Sequence, residues 1–105
     1  MVFKMDNSNS RVRLFERRGE TSVFIDIEIK ETGEVLMSGQ DVGKGPEEYW
    51  GDSDYEYWLY VSQKNRDLLL LSLIKKVFGG SSEAFSKFRE FLIEYKIPYQ
   101  FDSWV

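Results

Sequence analysis

Several segments within the first sixty residues alternate between apolar and polar side chains, whereas two segments after Ser62 have helical spacing. Alternation is clearest in Thr21–Lys30, where valine and isoleucine occupy one side and charged residues the other. A period of two is typical of a half-buried strand, because successive side chains in a strand point to opposite faces. The same pattern predicts strands over Arg11–Arg18, with Val12 and Leu14 on one side, and over Val35–Gln40.

An aromatic segment predicts a fourth strand. Its alternate residues form one set, Tyr55, Tyr57, Leu59 and Val61, and a second set, Glu56, Trp58 and Tyr60. The segment Glu31–Glu34 predicts a tight hairpin turn in which Gly33 supplies the positive φ. A glycine-containing loop over Gly39–Gly51 is expected to lead into the fourth strand.

Beyond Ser62 the apolar residues follow helical periodicity. A first helix is predicted with Asn65 as its cap and Gly79-Gly80 as its end, and a second with Ser81 or Ser82 as its cap. Their apolar stripes are Leu70, Leu73, Ile74 and Val77 in the first, and Ala84, Phe88, Phe91, Leu92 and Tyr95 in the second. Pro98 bars continuation of the second helix, and the ring-rich segment Tyr99–Trp104 predicts a final edge strand.

The predicted order of elements is therefore β-β-β-β-α-α-β. Short connections favour an antiparallel four-stranded meander with two helices packed on one face, which is an α+β fold. A chain of 105 residues fits one domain spanning residues 1–105, with residues 1–10 as a loose N-terminal arm.

The chain contains neither cysteine nor histidine. Disulfides, thiolate chemistry and the commonest general base and metal ligand are thereby excluded. No apolar segment is long enough for a signal peptide or a membrane span, so a cytoplasmic protein without a membrane role is expected. No cofactor is predicted. Carboxylate, lysine and tyrosine chemistry stay open, and an enzymatic role is less favoured than a binding role.

Charge is concentrated in the middle of the chain. Residues 31–60 carry eight acids and one cation, although the net charge of the whole chain is only −4. Within them, the segment from Pro46 to Tyr60 holds five carboxylates and six aromatic rings without a cation. Such a surface disfavours nucleic acid, whose phosphates need lysine and arginine, and favours a basic protein partner.

The charged residues suggest three other kinds of site. Asp52, Asp54 and Glu56 have the spacing that opens a calcium loop, but Tyr57 stands where that loop needs glycine. A carboxylate-dependent hydrolase would pair Asp41 or Glu48 with Asp52 or Asp54 beside Trp50 and Trp58. Four arginines, Arg11, Arg13, Arg17 and Arg18, surround Phe15. The first three are expected to share one strand face, as a site for a small anion or RNA or as a solvated edge.

Several short segments carry a family resemblance. They are Ser-Gly-Gln-Asp-Val-Gly at 38–43, Gly-Asp-Ser-Asp-Tyr-Glu-Tyr-Trp at 51–58, Gly-Gly at 79–80 and Ile-Pro-Tyr-Gln-Phe-Asp-Ser-Trp at 97–104. In these the chain resembles a family of small uncharacterised bacterial proteins with a Gly-Gln-Asp-x-Gly turn and an acidic Asp-Tyr-Glu-Tyr-Trp strand. It resembles more loosely the small acidic immunity proteins of bacterial toxin systems, which implies a cytoplasmic inhibitor of a toxin.

The sequence therefore predicts a non-enzymatic interaction domain that binds a basic protein. The residues expected to contact the partner are Asp41, Glu48, Trp50, Asp52, Asp54, Glu56, Trp58 and Trp104. A small carboxylate- or metal-dependent hydrolase is the alternative, and a self-associating module, forming a homodimer, is a further one.

Overall fold

The computed structural model describes residues 10–104, which form two compact units: a sheet unit, residues 10–66, and a helical unit, residues 67–104. The elements are β1 (Ser10–Arg17), β2 (Thr21–Ile29), β3 (Val35–Gly43), α1 (Lys44–Trp50), β4 (Asp54–Val61), a 3₁₀ turn (Gln63–Asn65), α2 (Arg66–Phe78) and α3 (Ala84–Glu94). The α+β class is confirmed. The predicted N-terminal arm, apart from Ser10, lies outside the described residues.

The four strands form one antiparallel sheet in the order β1-β2-β3-β4, as the alternation predicts. Ile27 pairs with Val12 on one side and with Met37 on the other, and Met37 pairs in turn with Leu59. These residues and their alternate neighbours form one face, named here the apolar face. The opposite face carries most of the charged residues of β1 and β2 and is named the polar face.

A register shift in β1 changes two expectations. The shift lies between Arg13 and Phe15, so Phe15 pairs with Ile25 while Arg13 pairs with Asp26. A bulge of this kind inserts one residue and reverses the alternation beyond it. Val12 therefore shares the apolar face with Phe15 rather than with Leu14. Arg17 falls on the opposite face from Arg11 and Arg13, so the expectation that all three share one face is wrong.

The hairpin between β2 and β3 is confirmed. Gly33 has a φ of 87°, and the amide of Lys30 donates to the carbonyl of Glu34 at 2.8 Å. A left-handed φ at this position suits glycine, which has no Cβ to clash. The carbonyl of Gly33 also accepts from Nη1 of Arg66, the residue after the 3₁₀ turn, at 3.4 Å. Val35 and Leu36, just after it, are the two buried apolar residues of the sheet.

The loop predicted over Gly39–Gly51 is wrong. Strand β3 continues to Gly43, so the Gly-Gln-Asp-x-Gly motif is strand rather than turn, and α1 follows at once. The helix forms because its start is fixed: the amide of Lys44 donates to the Glu20 carbonyl, and that of Gly45 donates to Thr21 Oγ1 at 2.8 Å. Gly51 ends α1 with a φ of 74°.

In the helical unit, α2 and α3 contact each other through aromatic rings. The ring centroid of Phe78 lies 5.4 Å from that of Phe88 and 5.8 Å from that of Phe91, both in edge-on geometry. The stripe predicted for α3 is confirmed as its less exposed side. In α2 the less exposed residues are Leu69, Ile74 and Phe78, whereas Leu70, Leu73 and Val77 of the predicted stripe are exposed.

The helix ends differ in detail from the prediction. Asn65 closes the 3₁₀ turn that precedes α2 instead of capping the helix, while Gly80, at a φ of 84°, ends α2 as predicted. Ser81 Oγ accepts from the amide of Glu83, which is itself the N-cap residue of α3. None of the helices in residues 10–104 has the length and apolar character needed to cross a membrane.

The final strand predicted over Tyr99–Trp104 is absent from the described residues. The segment instead lies along α3, where the Arg89 guanidinium carbon is 4.5 Å from the centroid of Phe101 and 6.0 Å from that of Tyr99. Phe85 adds an edge-on contact to Phe101 at 6.0 Å. The rings that suggested a strand therefore contact a helix. The packing of both helices on one face of the sheet stays a prediction.

Candidate partner-binding surface

The polar face is built from side chains that lie opposite one another on four strands. One row across the sheet is Arg13, Asp26, Ser38 and Trp58, and the next is Glu16, Phe24, Gln40 and Glu56. Because paired residues of antiparallel strands point to the same side, each row is a continuous line of neighbouring side chains. The register of the sheet thus brings β1 arginines and β4 aromatic and acidic residues onto one surface.

Asp26 is the centre of the β1 half of this face. It is 8% exposed, and its two carboxylate oxygens accept hydrogen bonds from Arg11 Nη2 at 2.9 Å and from Arg13 Nε. Burial alone raises the pKa of a carboxyl group, but the hydrogen bonds and charges of both arginines outweigh it and hold the pKa of Asp26 below its usual value. Asp26 is therefore an ionised, fully paired carboxylate.

The two arginines have further partners. Arg11 Nη1 lies 3.6 Å from Glu28, and Arg13 Nη1 donates to Glu16. The carboxylate of Glu16 also accepts from Arg18 Nε at 2.8 Å. This hydrogen bond is the largest cause that lowers the pKa of Glu16, and the charges of Arg18 and Arg13 lower it further. The β1 half of the polar face is consequently a closed network in which each guanidinium already contacts carboxylates.

An open cavity of about 380 Å³ lies on the polar face. Its walls are the arginines of β1 and the Trp58 and Glu56 side chains of β4, with Ser38 between them on β3. Ser38 lies between Asp26 and Trp58 in one row of the sheet. Its side chain is small, so it leaves space beside Trp58 that a larger residue would fill. The cavity is lined by Arg11, Arg13, Phe24, Asp26, Ser38, Gly39, Gln40, Glu56 and Trp58.

Strand β4 is an edge of the sheet: within residues 10–104 it pairs with β3 alone. On the polar face it presents Trp58, which is 51% exposed, and Tyr60, which is 59% exposed. Asp54 lies in the same set and accepts from Gln40 Nε2 at 3.0 Å. The side chain of Glu56 has neither an ion-pair nor a hydrogen-bond partner among these residues.

The rings of β4 on the apolar face are fixed by contacts. The Tyr57 hydroxyl donates to Asp41 Oδ1 at 2.7 Å, and the Tyr57 ring lies over Gly39, where an added Cβ would come within 2.0 Å of it. Burial, followed by the hydrogen bond to Asp41, raises the pKa of Tyr57 to about 12. Tyr55 continues the row, with its ring centroid 5.3 Å from that of Tyr57.

Helix α1 and the turn after it hold three more of the predicted residues. The indole of Trp50 stacks on Tyr55 at 5.2 Å, with the planes inclined by 20°. Glu48 is exposed on α1. Asp52 Oδ1 accepts from the amide of Asp54 at 3.1 Å, which closes the turn that leads into β4. Trp50 and Asp52 therefore both have local structural partners.

The predicted partner-binding residues fall into separate groups. Glu56, Trp58 and Asp54 share the polar face, whereas Asp41 lies on the apolar face in contact with Tyr57. Glu48, Trp50 and Asp52 occupy α1 and its following turn, and Trp104 belongs to the helical unit, where it is 97% exposed. The structure thus brings together the β4 residues of the polar face and separates Asp41 from them.

Sequence reasoning missed the other half of the cavity. The sequence pattern sets Arg11 and Arg13 apart from the acidic segment, and it includes Ser38 and Gln40 only as members of the motif at 38–43, without a role in a site. A signal was present, since Arg11, Arg13 and Asp26 alternate on the outer sides of their strands. Only the register of the four strands places these side chains beside Glu56 and Trp58.

The carboxylates do not converge. Among residues 10–104 there is no group of three or more acidic side chains arranged to hold a metal ion. Asp41 and Asp54 lie on opposite faces of the sheet, because Asp41 pairs with Tyr55 while Asp54 pairs with Val42. The geometry therefore offers carboxylates that stand apart from one another, and Asp26, the buried one among these residues, is already paired with two arginines.

Comparison with protein-family models, with curated proteins and with solved structures finds no match for this chain.

Proposed function

We propose that this protein is a non-enzymatic interaction domain that binds a basic protein partner through β4 and the acids around it. The observation that carries the proposal is an edge strand with adjacent rings, Trp58 and Tyr60, each more than half exposed on one face. Single exposed apolar residues are ordinary on protein surfaces, but tryptophan and tyrosine are concentrated in binding hot spots. An unpaired strand edge also offers backbone groups to an extended partner segment.

Charge determines which partner suits this strand. Glu47, Glu48, Asp52, Asp54 and Glu56 are all exposed in and before β4, and Lys44 is the one cation in residues 31–60. Complementary charge accelerates encounter with a basic surface and repels an acidic one. A basic protein is therefore favoured over nucleic acid. The most concrete form of this role is that of an immunity-like inhibitor, which covers the basic surface of a toxin.

The hydrolase alternative receives less support from the geometry. A retaining or inverting pair of carboxylates must flank one reacting bond, yet Asp41 and Asp54 are on opposite faces of the sheet. Asp26, the one buried carboxylate among residues 10–104, already accepts from two arginines. Such a residue stabilises the fold rather than transferring a proton.

The proposal is tested by capturing the partner with a variant whose charges are reversed at the strand entrance, which is defined here as Asp52 and Asp54, just before and at the start of β4. A double variant, Asp52→Lys with Asp54→Lys, replaces two negative charges by two positive ones where a basic partner would approach. We expect it to lose most of the partner that the wild-type protein captures from the source cell. The affinity for that partner, once purified, should fall at least about tenfold, since like charges at an interface cost more than 1 kcal/mol.

A matched control carries the same change of charge in the helical unit. Glu90 and Glu94 are exposed on α3 and have no ion-pair partner among the described residues, so Glu90→Lys with Glu94→Lys is expected to retain capture. Equal loss in both double variants would show a dependence on net charge alone and would contradict a role for β4. Light scattering at several concentrations tests self-association. A molar mass that rises with concentration to that of a dimer would make a second copy of this chain, rather than a basic protein, the partner of β4.

A further inference from the structure

The polar face already holds guanidinium groups against an aromatic ring. The Arg13 guanidinium carbon lies 5.2 Å from the centroid of Phe24, and that of Arg18 lies at the same distance. Both arginines also contact the carboxylate of Glu16. A ring beside a carboxylate binds a guanidinium well, because the ring face and the carboxylate are both negative where the flat cation is positive.

The β4 end of the same face repeats this combination. Trp58 supplies the ring and Glu56 the carboxylate, and the two residues are separated by one position on the same face of one strand. Their Cα atoms are thus about 7 Å apart, a distance that one guanidinium can bridge by stacking on the indole and donating to the carboxylate. Within residues 10–104 no cation contacts either side chain.

The cavity provides room beside this pair. Its volume of about 380 Å³ lies between the β1 arginines and Trp58, over Ser38. Four strands place the backbones of β1 and β4 roughly 14 Å apart, so a side chain can enter between the two walls. The volume accommodates a flat group on a flexible stem and is too small for a folded element.

An anionic occupant is disfavoured in this cavity. Arg11 contacts Asp26 and Glu28, and Arg13 contacts Asp26 and Glu16. An incoming anion would have to displace one of these carboxylates, whereas a cation finds Glu56 without a partner. Arginine fits better than lysine because its planar group stacks on indole and presents paired donors to a carboxylate.

We infer that the cavity on the polar face is a recognition site for an arginine side chain of the partner, which stacks on Trp58 and donates to Glu56. The inference rests on the proposed function, since it names the group by which a basic partner is recognised. It assigns different roles to the residues of β4: Trp58 and Glu56 contact the partner's arginine, while Asp54, held by Gln40, contributes charge at the strand entrance.

The test uses N-acetyl-arginine amide as the probe and the fluorescence of Trp58 as the signal. Trp50→Phe and Trp104→Phe leave Trp58 as the single tryptophan, and phenylalanine at position 50 keeps an aromatic contact to Tyr55. We expect a saturable change with a dissociation constant of about 1 mM, as suits one small group on an open site. The citrulline counterpart, which has the same shape without the charge, should bind at least about tenfold more weakly.

The paired variants separate a specific contact from general attraction. In the single-tryptophan protein, Glu56→Gln should reduce the affinity for the arginine probe about tenfold and leave that for the citrulline probe unchanged. Glu47→Gln removes the same charge from exposed helix α1 and should alter both affinities less than about twofold. A non-saturable response to the arginine probe, equal binding of both probes, or equal effects of the two variants would overturn the inference.

Failure of this inference is distinguishable from failure of the proposed function. If the arginine probe does not bind while the Asp52→Lys and Asp54→Lys protein still loses the captured partner, the interaction domain stands and the arginine site is wrong. If the probe binds as expected but the charge-reversed strand retains all capture, the arginine site is present and the proposed role of β4 in partner binding fails.

Discussion

Tyr57 and Trp58 are neighbours on one strand, yet their surroundings are opposite. Tyr57 points to the apolar face, where its ring covers Gly39 and its hydroxyl donates to Asp41. Trp58 points to the polar face, where it pairs with Ser38 and is 51% exposed. The two rings are chemically similar, so the difference comes from what the adjacent strand places beside each of them.

This contrast shows that a single aromatic segment can serve folding and recognition at once. On the apolar face the partners of each ring are within the protein, which accounts for Tyr55 and Tyr57 without any ligand. On the polar face, Trp58 and Glu56 lack such partners among residues 10–104. Substitutions on the two faces should therefore separate stability from binding.

The largest expected effect is a loss of stability when the packing of the Tyr57 ring over Gly39 is disturbed. Gly39→Ala places a Cβ within 2.0 Å of the Tyr57 ring, so the ring must move and lose its hydrogen bond to Asp41. We expect the free energy of unfolding to fall by about 2–3 kcal/mol, measured by urea denaturation. Gly19→Ala is the control, because nothing lies within 4 Å of the added Cβ there. Equal unfolding free energies in the two variants would show that the close packing over Gly39 is not required.

A smaller effect is expected from the paired carboxylate of the polar face. Asp26→Asn leaves Arg11 and Arg13 without their shared charge and should destabilise the protein by about 1–2 kcal/mol at neutral pH. The folded pKa of Asp26 lies below its unfolded value, so this contribution is full above the unfolded pKa, near 4, and is lost as pH falls through the folded pKa.

Urea denaturation of wild type and Asp26→Asn at a series of pH values measures this dependence. The stability difference should be constant from about pH 7 to pH 5 and should shrink below about pH 4. A difference that stays constant down to the lowest pH would mean that the ionised form of Asp26 is not the source of its stabilisation.

The smallest expected effect concerns the phenol on the apolar face. The pKa of Tyr57 is raised to about 12 by burial and by Asp41, so its stabilisation is present below about pH 10 and is lost as pH rises through 12. Asp41→Asn should lower the pKa of Tyr57 only in part, because burial remains, and should destabilise the fold by about 1 kcal/mol. Absorbance of tyrosinate against pH measures the shift; an unchanged titration would exclude the hydrogen bond.

Strand faces were predictable from the sequence wherever alternation was uninterrupted. The two sets in β4 are those that the pattern predicts, because each side chain follows its strand's pleat. The bulge after Arg13 was not predictable, since one inserted residue depends on pairing with β2. Helix α1 was also missed. The glycines of this region suggested a loop, whereas the amides of Lys44 and Gly45 donate hydrogen bonds to Glu20 and Thr21, at the start of β2, and fix the helix start.

Half of the candidate site was predictable as well. Glu56 and Trp58 stood out because acids and rings are unusually dense near them. Asp41 was grouped with them by proximity in sequence, although strand pairing places it on the opposite face. The arginines and Ser38 joined the site only through register across four strands, and register is a property of the paired sheet rather than of any one segment.

The central claim is that Trp58 serves recognition while Tyr57 serves the fold. The most direct test is the affinity of folded Trp58→Ala for the captured and purified partner. We predict a loss of affinity of at least about tenfold in a variant that urea denaturation shows to be folded; some unfolding free energy is also lost, because about half of the Trp58 side chain is buried. Undiminished affinity in the folded variant would contradict the claim.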